Sequence, residues 1–202
     1  MLDFARVERG RGAYELAVGD VGAVVSRAAQ LLRYRAEREH VRLEVDVSSD
    51  LSECRIDDRA LQLAVINLID NAIKYGRANH GDEAESVVRV SVEQSGGSVV
   101  IRVTDDGPGI AKAERERIFE RFVRGQAAKT GEAGMPIRGS GIGLALVRHI
   151  AESHGGTASV ESDVASPRSG GPGKSGSTFV LTIPIATEEV IAIDGKRAQD
   201  IV

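Results

Sequence analysis

Apolar and polar residues alternate through Val87–Val92 and again through Ser98–Thr104, with Ser95-Gly96-Gly97 between the two runs. A two-residue period belongs to strands that bury one face, and a short glycine turn between two such runs makes a hairpin. Side-chain parity then sorts the second strand. Val99, Ile101, Val103 and Asp105 share one face, while Val100, Arg102, Thr104 and Asp106 share the other. Asp105 therefore continues an apolar column, where a carboxylate needs hydrogen-bond donors. Gly107, Pro108 and Gly109 follow at once. The glycines admit close backbone approach and unusual φ, and the proline stiffens the turn.

Helical and extended segments flank this hairpin. Residues 1–12 are charged and end in Gly10-Arg11-Gly12, which reads as the last turns of a helix and a break. Tyr14 to Val18 predicts a short strand. Asp20 predicts the N-cap of a helix of about 18 residues with Val21, Val24, Val25, Ala28, Leu31 and Leu32 as its apolar positions. Val41, Leu43, Val45 and Val47 predict a half-buried strand, and Cys54-Arg55-Ile56 a shorter one. Asp57 or Asp58 then caps a helix reaching Tyr75, and a polar loop follows over 76–85. Ala113 to Phe119 reads as a short helix. Val123 to Arg138 is polar, glycine-rich and aperiodic, a mobile loop whose length suggests function. Ile142 to Ser153 is an apolar helix ended by His154-Gly155-Gly156. Thr157–Val160 and Ser177–Ile183 are strands separated by a surface loop over 166–175, and 186–202 is a loosely packed tail. A mixed sheet with helices on one face fits this order, in the α+β class.

Composition narrows the function. At 202 residues the chain is one domain with tails, long enough to bury a core, and 42% hydrophobic with 28% charged is ordinary globular content. Net charge is -4, without a basic run or interleaved aromatics, so nucleic acid binding is not indicated. Cys54 is the only cysteine, which excludes an intrachain disulfide and a cysteine-built zinc site and leaves a small buried hydrophobe. No apolar run reaches the length of a membrane span. His40, His80, His149 and His154 show no metal-ligand or triad spacing. Gly173-Lys174-Ser175 resembles the end of a P-loop, but Arg168 stands where that pattern needs glycine.

Three local patterns suit a polyphosphate. On the helix before Tyr75, Asn67, Asn71 and Lys74 fall within about 60° of one another, a narrow polar stripe on a helix otherwise apolar. Two amides and an ammonium match a metal-bound polyphosphate, and a solvated stripe is the bland alternative. Asp105 on its apolar face suits an exocyclic amine such as adenine N6. Gly139-Ser140-Gly141-Ile142-Gly143 opens a helix, where backbone amides and the helix N-terminus favour anions. Arg121, Arg124 and Arg138 stand nearby in the chain.

Taken in order, four motifs extend these patterns. They are Asn67-Leu68-Ile69-Asp70-Asn71-Ala72-Ile73-Lys74-Tyr75, Asp105-Asp106-Gly107-Pro108-Gly109-Ile110, Arg117-Ile118-Phe119-Glu120-Arg121-Phe122 and Gly139-Ser140-Gly141-Ile142-Gly143-Leu144. The set resembles the N, G1, F and G2 boxes of the ATP-binding catalytic domain of sensor histidine kinases, in the superfamily shared with gyrase, MutL and heat-shock chaperone ATPases. The resemblance implies a Bergerat-type two-layer α/β sandwich with a mixed, mainly antiparallel sheet. It places the catalytic domain at 13–186, the end of a dimerisation helix region at 1–12, a tail at 187–202 and an ATP lid at about 110–140. It implies ATP and Mg²⁺ as ligands. Asn71 resembles the Mg²⁺ ligand, Lys74 the phosphate-contacting lysine and Tyr75 the residue beside adenine. Asp105 resembles the adenine reader, with Gly107, Gly109 and Ile110 lining the base pocket. Phe119 and Phe122 resemble lid anchors. Arg124, Arg138 and the run Gly139, Ser140, Gly141, Ile142, Gly143 and Leu144 resemble the phosphate end, and Thr178 enters the final strand beside the pocket.

Asn67 stands where hydrolytic relatives carry a glutamate, and an amide cannot act as a strong general base for water. This favours phosphoryl transfer to a positioned acceptor. Such kinases phosphorylate a histidine on a dimerisation helix, and no histidine here has that setting. The resemblance therefore implies an acceptor domain supplied by another segment of a homodimeric parent, a response regulator as partner, and a cytoplasmic domain whose parent is anchored in the inner membrane. An anti-sigma-type serine kinase and a hydrolytic ATPase of the same fold are the alternatives; a degenerate binding module is disfavoured by the intact boxes.

Overall fold

The computed structural model describes residues 14–77, 86–123, 141–163 and 175–187. Among the described residues, five further strands and three helices surround a hairpin at the centre of the main sheet. In chain order the elements are β1 (Ala17–Gly19), α1 (Val21–Arg38), β2 (Val41–Val47), β3 (Cys54–Ile56), α2 (Asp58–Arg77), β4 (Ser86–Ser95), β5 (Ser98–Asp105), α3 (Gly143–Ser153), β6 (Thr157–Asp163) and β7 (Gly176–Pro184). The main sheet has the order β2-β4-β5-β7-β6, with β2–β4 parallel and the other pairs antiparallel. A small antiparallel sheet of β1 and β3 stands beside it, and a bridge from Cys54 to Ile185 joins the two.

Local chemistry fixes the elements. The Asp20 carboxylate accepts the Ala23 N–H at 3.0 Å and starts α1. Asp57 caps α2 through its Oδ1, which accepts the Ala60 N–H at 3.0 Å. Gly96 and Gly97 both have positive φ, at 58° and 79°, the conformation a tight two-residue hairpin requires. At the end of α3 a Cβ on Gly156 would lie 1.8 Å from the Thr182 carbonyl oxygen, so only glycine lets the helix turn back onto the sheet there.

One face of the sheet carries the core. Val88, Val90 and Val92, Val99, Ile101 and Val103, and Phe179, Leu181 and Ile183 point into it. Val24, Ala28 and Leu32 of α1, Leu61, Val65, Leu68 and Ala72 of α2, and Val147 and Ile150 of α3 close it. The opposite face is polar, with Arg89 and Glu44 paired at 2.9 Å. Cys54 is fully buried, and burial pushes its thiol up to about 11. It is a packing residue.

Two expectations change. The segment over 113–119 is not one helix but two 3₁₀ turns, Lys112–Glu114 and Arg117–Phe119. So short a segment cannot offset helix nucleation, and tight turns suffice to bury Ile118 and Phe119. Asp106 does not join the face of Arg102 and Thr104. The strand ends at Asp105, and Asp106 turns back to β4, accepting the Ser86 hydroxyl at 2.6 Å and the Val87 N–H at 3.0 Å. Of the expected helix end over 1–12, the loops over 76–85, 123–138 and 166–175 and the tail over 187–202, residues 1–12, 78–85, 124–138, 166–174 and 188–202 lie outside the described residues.

Candidate functional site

The apolar column of β5 ends in a buried carboxylate. Val99, Ile101 and Val103 are fully buried, and Asp105 continues them at 6% exposure. Its Oδ1 accepts the Gly107 N–H at 2.9 Å. Burial pushes the carboxyl up to about 7, against partial relief from backbone N–H groups of Gly107 and Ser177. Glycine permits the close backbone approaches around it. A Cβ on Gly107 would lie 2.7 Å from both Asp105 Oδ1 and the Tyr75 carbonyl oxygen, and one on Gly176 would lie 2.2 Å from the Asp105 carbonyl oxygen. Gly109 holds φ at 76°, and Ile110 packs partly buried on the core.

The polar stripe of α2 reaches toward α3. Asn67 donates its amide to the Leu63 carbonyl at 2.8 Å, and its Oδ1 lies 2.7 Å from where a Gly143 Cβ would stand. The stripe thus abuts the N-terminus of α3, which no side chain among the described residues caps. Asn71 is half-buried on the same helix. Lys74 is ion-paired with Asp70 one turn earlier, and Asp70 also meets Arg35 of α1. The N-terminus of α3 is the positive end of its dipole, entered through Gly141, Ile142 and Gly143 with Leu144 packed on the core.

The described segments on either side of residues 124–140 meet. The Phe122 N–H donates to the Gly141 carbonyl at 2.9 Å. Both residues hold positive φ, 63° and 69°. Phe119 is buried, edge-on to Phe179 at 6.4 Å, and covered by the Arg148 guanidinium at 4.4 Å.

The structure therefore sets Tyr75 and Gly107 beside Asp105 and Asn67 beside the start of α3, with Asn71 between Asn67 and Tyr75 on α2. Two expected residues are placed elsewhere. Phe122 is 73% exposed, so Phe119 alone of the two aromatic residues is an anchor. Thr178 stands on the outer face, its hydroxyl 3.0 Å from that of Thr104. Inward parity in β7 belongs to Phe179, Leu181 and Ile183, and so to Ser177, which is buried at 4% beside Asp105. Ser177 and its neighbour Ser162 were missed; the alternation of β6 and β7 was the signal that points to both. Arg124, Arg138, Gly139 and Ser140 lie outside the described residues.

A family model described as histidine kinase-, DNA gyrase B- and HSP90-like ATPase matches residues 56–187. The chain belongs to this ATPase family. It is 34% identical over 188 residues to the sensor-like histidine kinase SenX3 of Mycobacterium tuberculosis, a match covering 93% of this chain and 41% of that protein. The chain thus spans about two fifths of the length of such relatives. Among solved structures, full-length ShkA in complex with AMPPNP is 29% identical with a TM-score of 0.70, covering 92% of this chain and 34% of that one. The ATP-binding domain of PrrB from Mycobacterium tuberculosis is 30% identical with a TM-score of 0.57, covering 86% of this chain and 99% of that one. The sandwich is the Bergerat fold of histidine kinase ATPase domains, as expected. Among the described residues no helix is long and apolar enough to cross a membrane.

Proposed function

We propose that this chain is the ATP-binding catalytic domain of a sensor histidine kinase and that it directs the γ-phosphoryl group of ATP to a histidine on a dimerisation domain outside these residues. The observation that carries this reading is Asp105. A carboxylate at the end of an aliphatic column, bonded on one oxygen by Gly107 and faced by glycines, is built to accept a planar N–H donor. The 6-amino group of adenine is such a donor. The amide of Asn71 suits a Mg²⁺ ligand of hard oxygen type, and the ion would neutralise phosphate charge. The start of α3, the positive end of its dipole and entered through Gly143, suits phosphate oxygens. Lys74 adds positive charge on the same stripe.

Asn67 supports transfer over hydrolysis, because its amide is bonded to Leu63 and offers no base for water. Among the described histidines, His154 has both ring nitrogens engaged, by Ile150 and Asp57, which suits a structural role rather than an acceptor. The parent would be a homodimer handing its phosphoryl group to a response regulator, with this domain on the cytoplasmic side.

The test is direct. The purified chain should bind ATP with Mg²⁺ in a calorimeter, and it should gain no acid-labile phosphate from γ-labelled ATP alone. Adding a histidine-bearing dimerisation domain should yield acid-labile phosphate on that domain. Absence of ATP binding would sink the reading, and phosphohistidine on this chain alone would sink the external acceptor.

A further inference from the structure

Three neighbouring strands end their inward columns on a polar residue at one rung. Asp105 of β5 pairs with Ser177 of β7, and Ser177 pairs with Ser162 of β6. All three are buried, at 6%, 4% and 9% exposure. Buried hydroxyls beside aliphatic columns must find hydrogen-bond partners. Ser162 finds one in the turn that leaves β5. Its Oγ accepts the Ile110 N–H at 2.7 Å, donates to the Gly176 carbonyl at 2.7 Å and lies 3.1 Å from the Ser177 hydroxyl. The turn is thus fastened to β6, with β7 in between.

Arg115 makes a second tie. Its Nε donates to the Ile110 carbonyl at 3.4 Å, and its terminal nitrogen donates to the Ser162 carbonyl. Both backbone polar groups of Ile110 are therefore held, the N–H by Ser162 and the C=O by Arg115. The turn so fastened carries Gly107, whose N–H orients the Asp105 carboxylate.

The geometry points to Ser162 and Arg115 as positioning residues that hold this turn opposite Asp105 and thereby set the pocket's preference for a 6-amino purine. The inference rests on the adenine reading of Asp105. If the turn drifts, Gly107 no longer holds Oδ1 and the carboxylate loses its fixed direction. The residues proposed above for the triphosphate lie on α2 and at the start of α3, not on the turn.

The test compares ATP with inosine triphosphate, whose 6-oxo group is an acceptor where adenine has a donor. In the wild-type chain ATP should bind more tightly. Ser162→Ala and Arg115→Met should each weaken ATP about fivefold to tenfold, the worth of one lost hydrogen bond. Inosine triphosphate affinity should stay within about twofold, so the ratio of the two collapses. Arg115→Lys, which retains one tie, should recover part of the ratio. Unchanged ATP affinity in both variants would overturn the clasp while leaving the adenine reading intact. Equal losses for both nucleotides, accompanied by a lower melting temperature, would overturn it in favour of a merely structural role. A wild-type chain that does not distinguish the two nucleotides would overturn the adenine reading, and the clasp with it. If Ser162→Ala fails to fold, Arg115→Met at its half-exposed position carries the comparison.

Discussion

Asp105 is a carboxylate whose burial weighs on folding. An unfolded aspartate titrates near 4, whereas burial pushes this one up to about 7. Between those values the folded chain holds a proton that the unfolded chain has released. The group's contribution to stability is then full below about pH 4 and is lost as pH rises through about 7. Asp105→Asn removes that titration. The melting temperature of the variant, relative to wild type, should therefore improve on going from pH 5 to pH 8; a constant difference would refute the buried-carboxyl account. The same variant should lose about thirtyfold to hundredfold in ATP affinity. With its oxygen kept on the Gly107 N–H, the amide would turn an NH₂ donor toward the amino group of adenine. Asp105 was legible in the sequence because strand parity reaches it through Val99, Ile101 and Val103. Ser177 was legible by the same rule and Thr178 was misplaced for want of it. Phe122 was not legible, since its exposure depends on a left-handed backbone set by contact with Gly141.

At the scale of elements, one contact joins the segments that flank residues 124–140. Phe122 and Gly141 are joined by one backbone hydrogen bond, and a Cβ on Gly141 would stand 3.0 Å from the Phe122 backbone. Gly141→Ala adds that crowding to the cost of a left-handed alanine, about 1–2 kcal/mol. The expected outcome is faster amide exchange at Phe122 and weaker ATP binding, with exchange in β4 and β5 unchanged. Retained protection at Phe122 would show that the bond does not depend on glycine at 141. Elements with local signals were readable in advance. Asp20 and Asp57 cap their helices, and two glycines close the hairpin. The 3₁₀ turns before Phe122 were not, because a short amphipathic stretch has the same spacing in either helix. Nor was the parallel pairing of β2 with β4, which brings Val41 beside Ser86 across the whole of α2. No local pattern encodes a partner that distant in sequence.

For the molecule as a whole, the sandwich is held at one end by a junction that no single element could supply. Asp57 accepts the Glu15 N–H at 3.1 Å, caps α2 through Ala60, and donates its own N–H to His154 Nε2 at 2.9 Å. His154 sits at the end of α3, and its Nδ1 lies 2.7 Å from the Ile150 carbonyl. A carbonyl only accepts, so Nδ1 carries the proton and Nε2 is free to accept from Asp57. The ring of Tyr14 leans on both His149 and His154, with centroids 5.9 Å and 5.7 Å away. The chain entering β1, the start of α2 and the end of α3 thus share one buried imidazole. His154→Ala would leave the Asp57 N–H without its acceptor and a gap beneath Tyr14. The expected loss is about 2–3 kcal/mol in urea denaturation. Because the junction binds β1 more than it binds the main sheet, the loss should not be uniform. Amides over 15–19 should exchange faster in the variant through a local opening, while those of β5 and β7 should report only the lowered global stability. Equal acceleration in both sets would mean that the imidazole stabilises the core at large, and that the small sheet is fastened instead by its pairing with β3 and the bridge from Cys54 to Ile185.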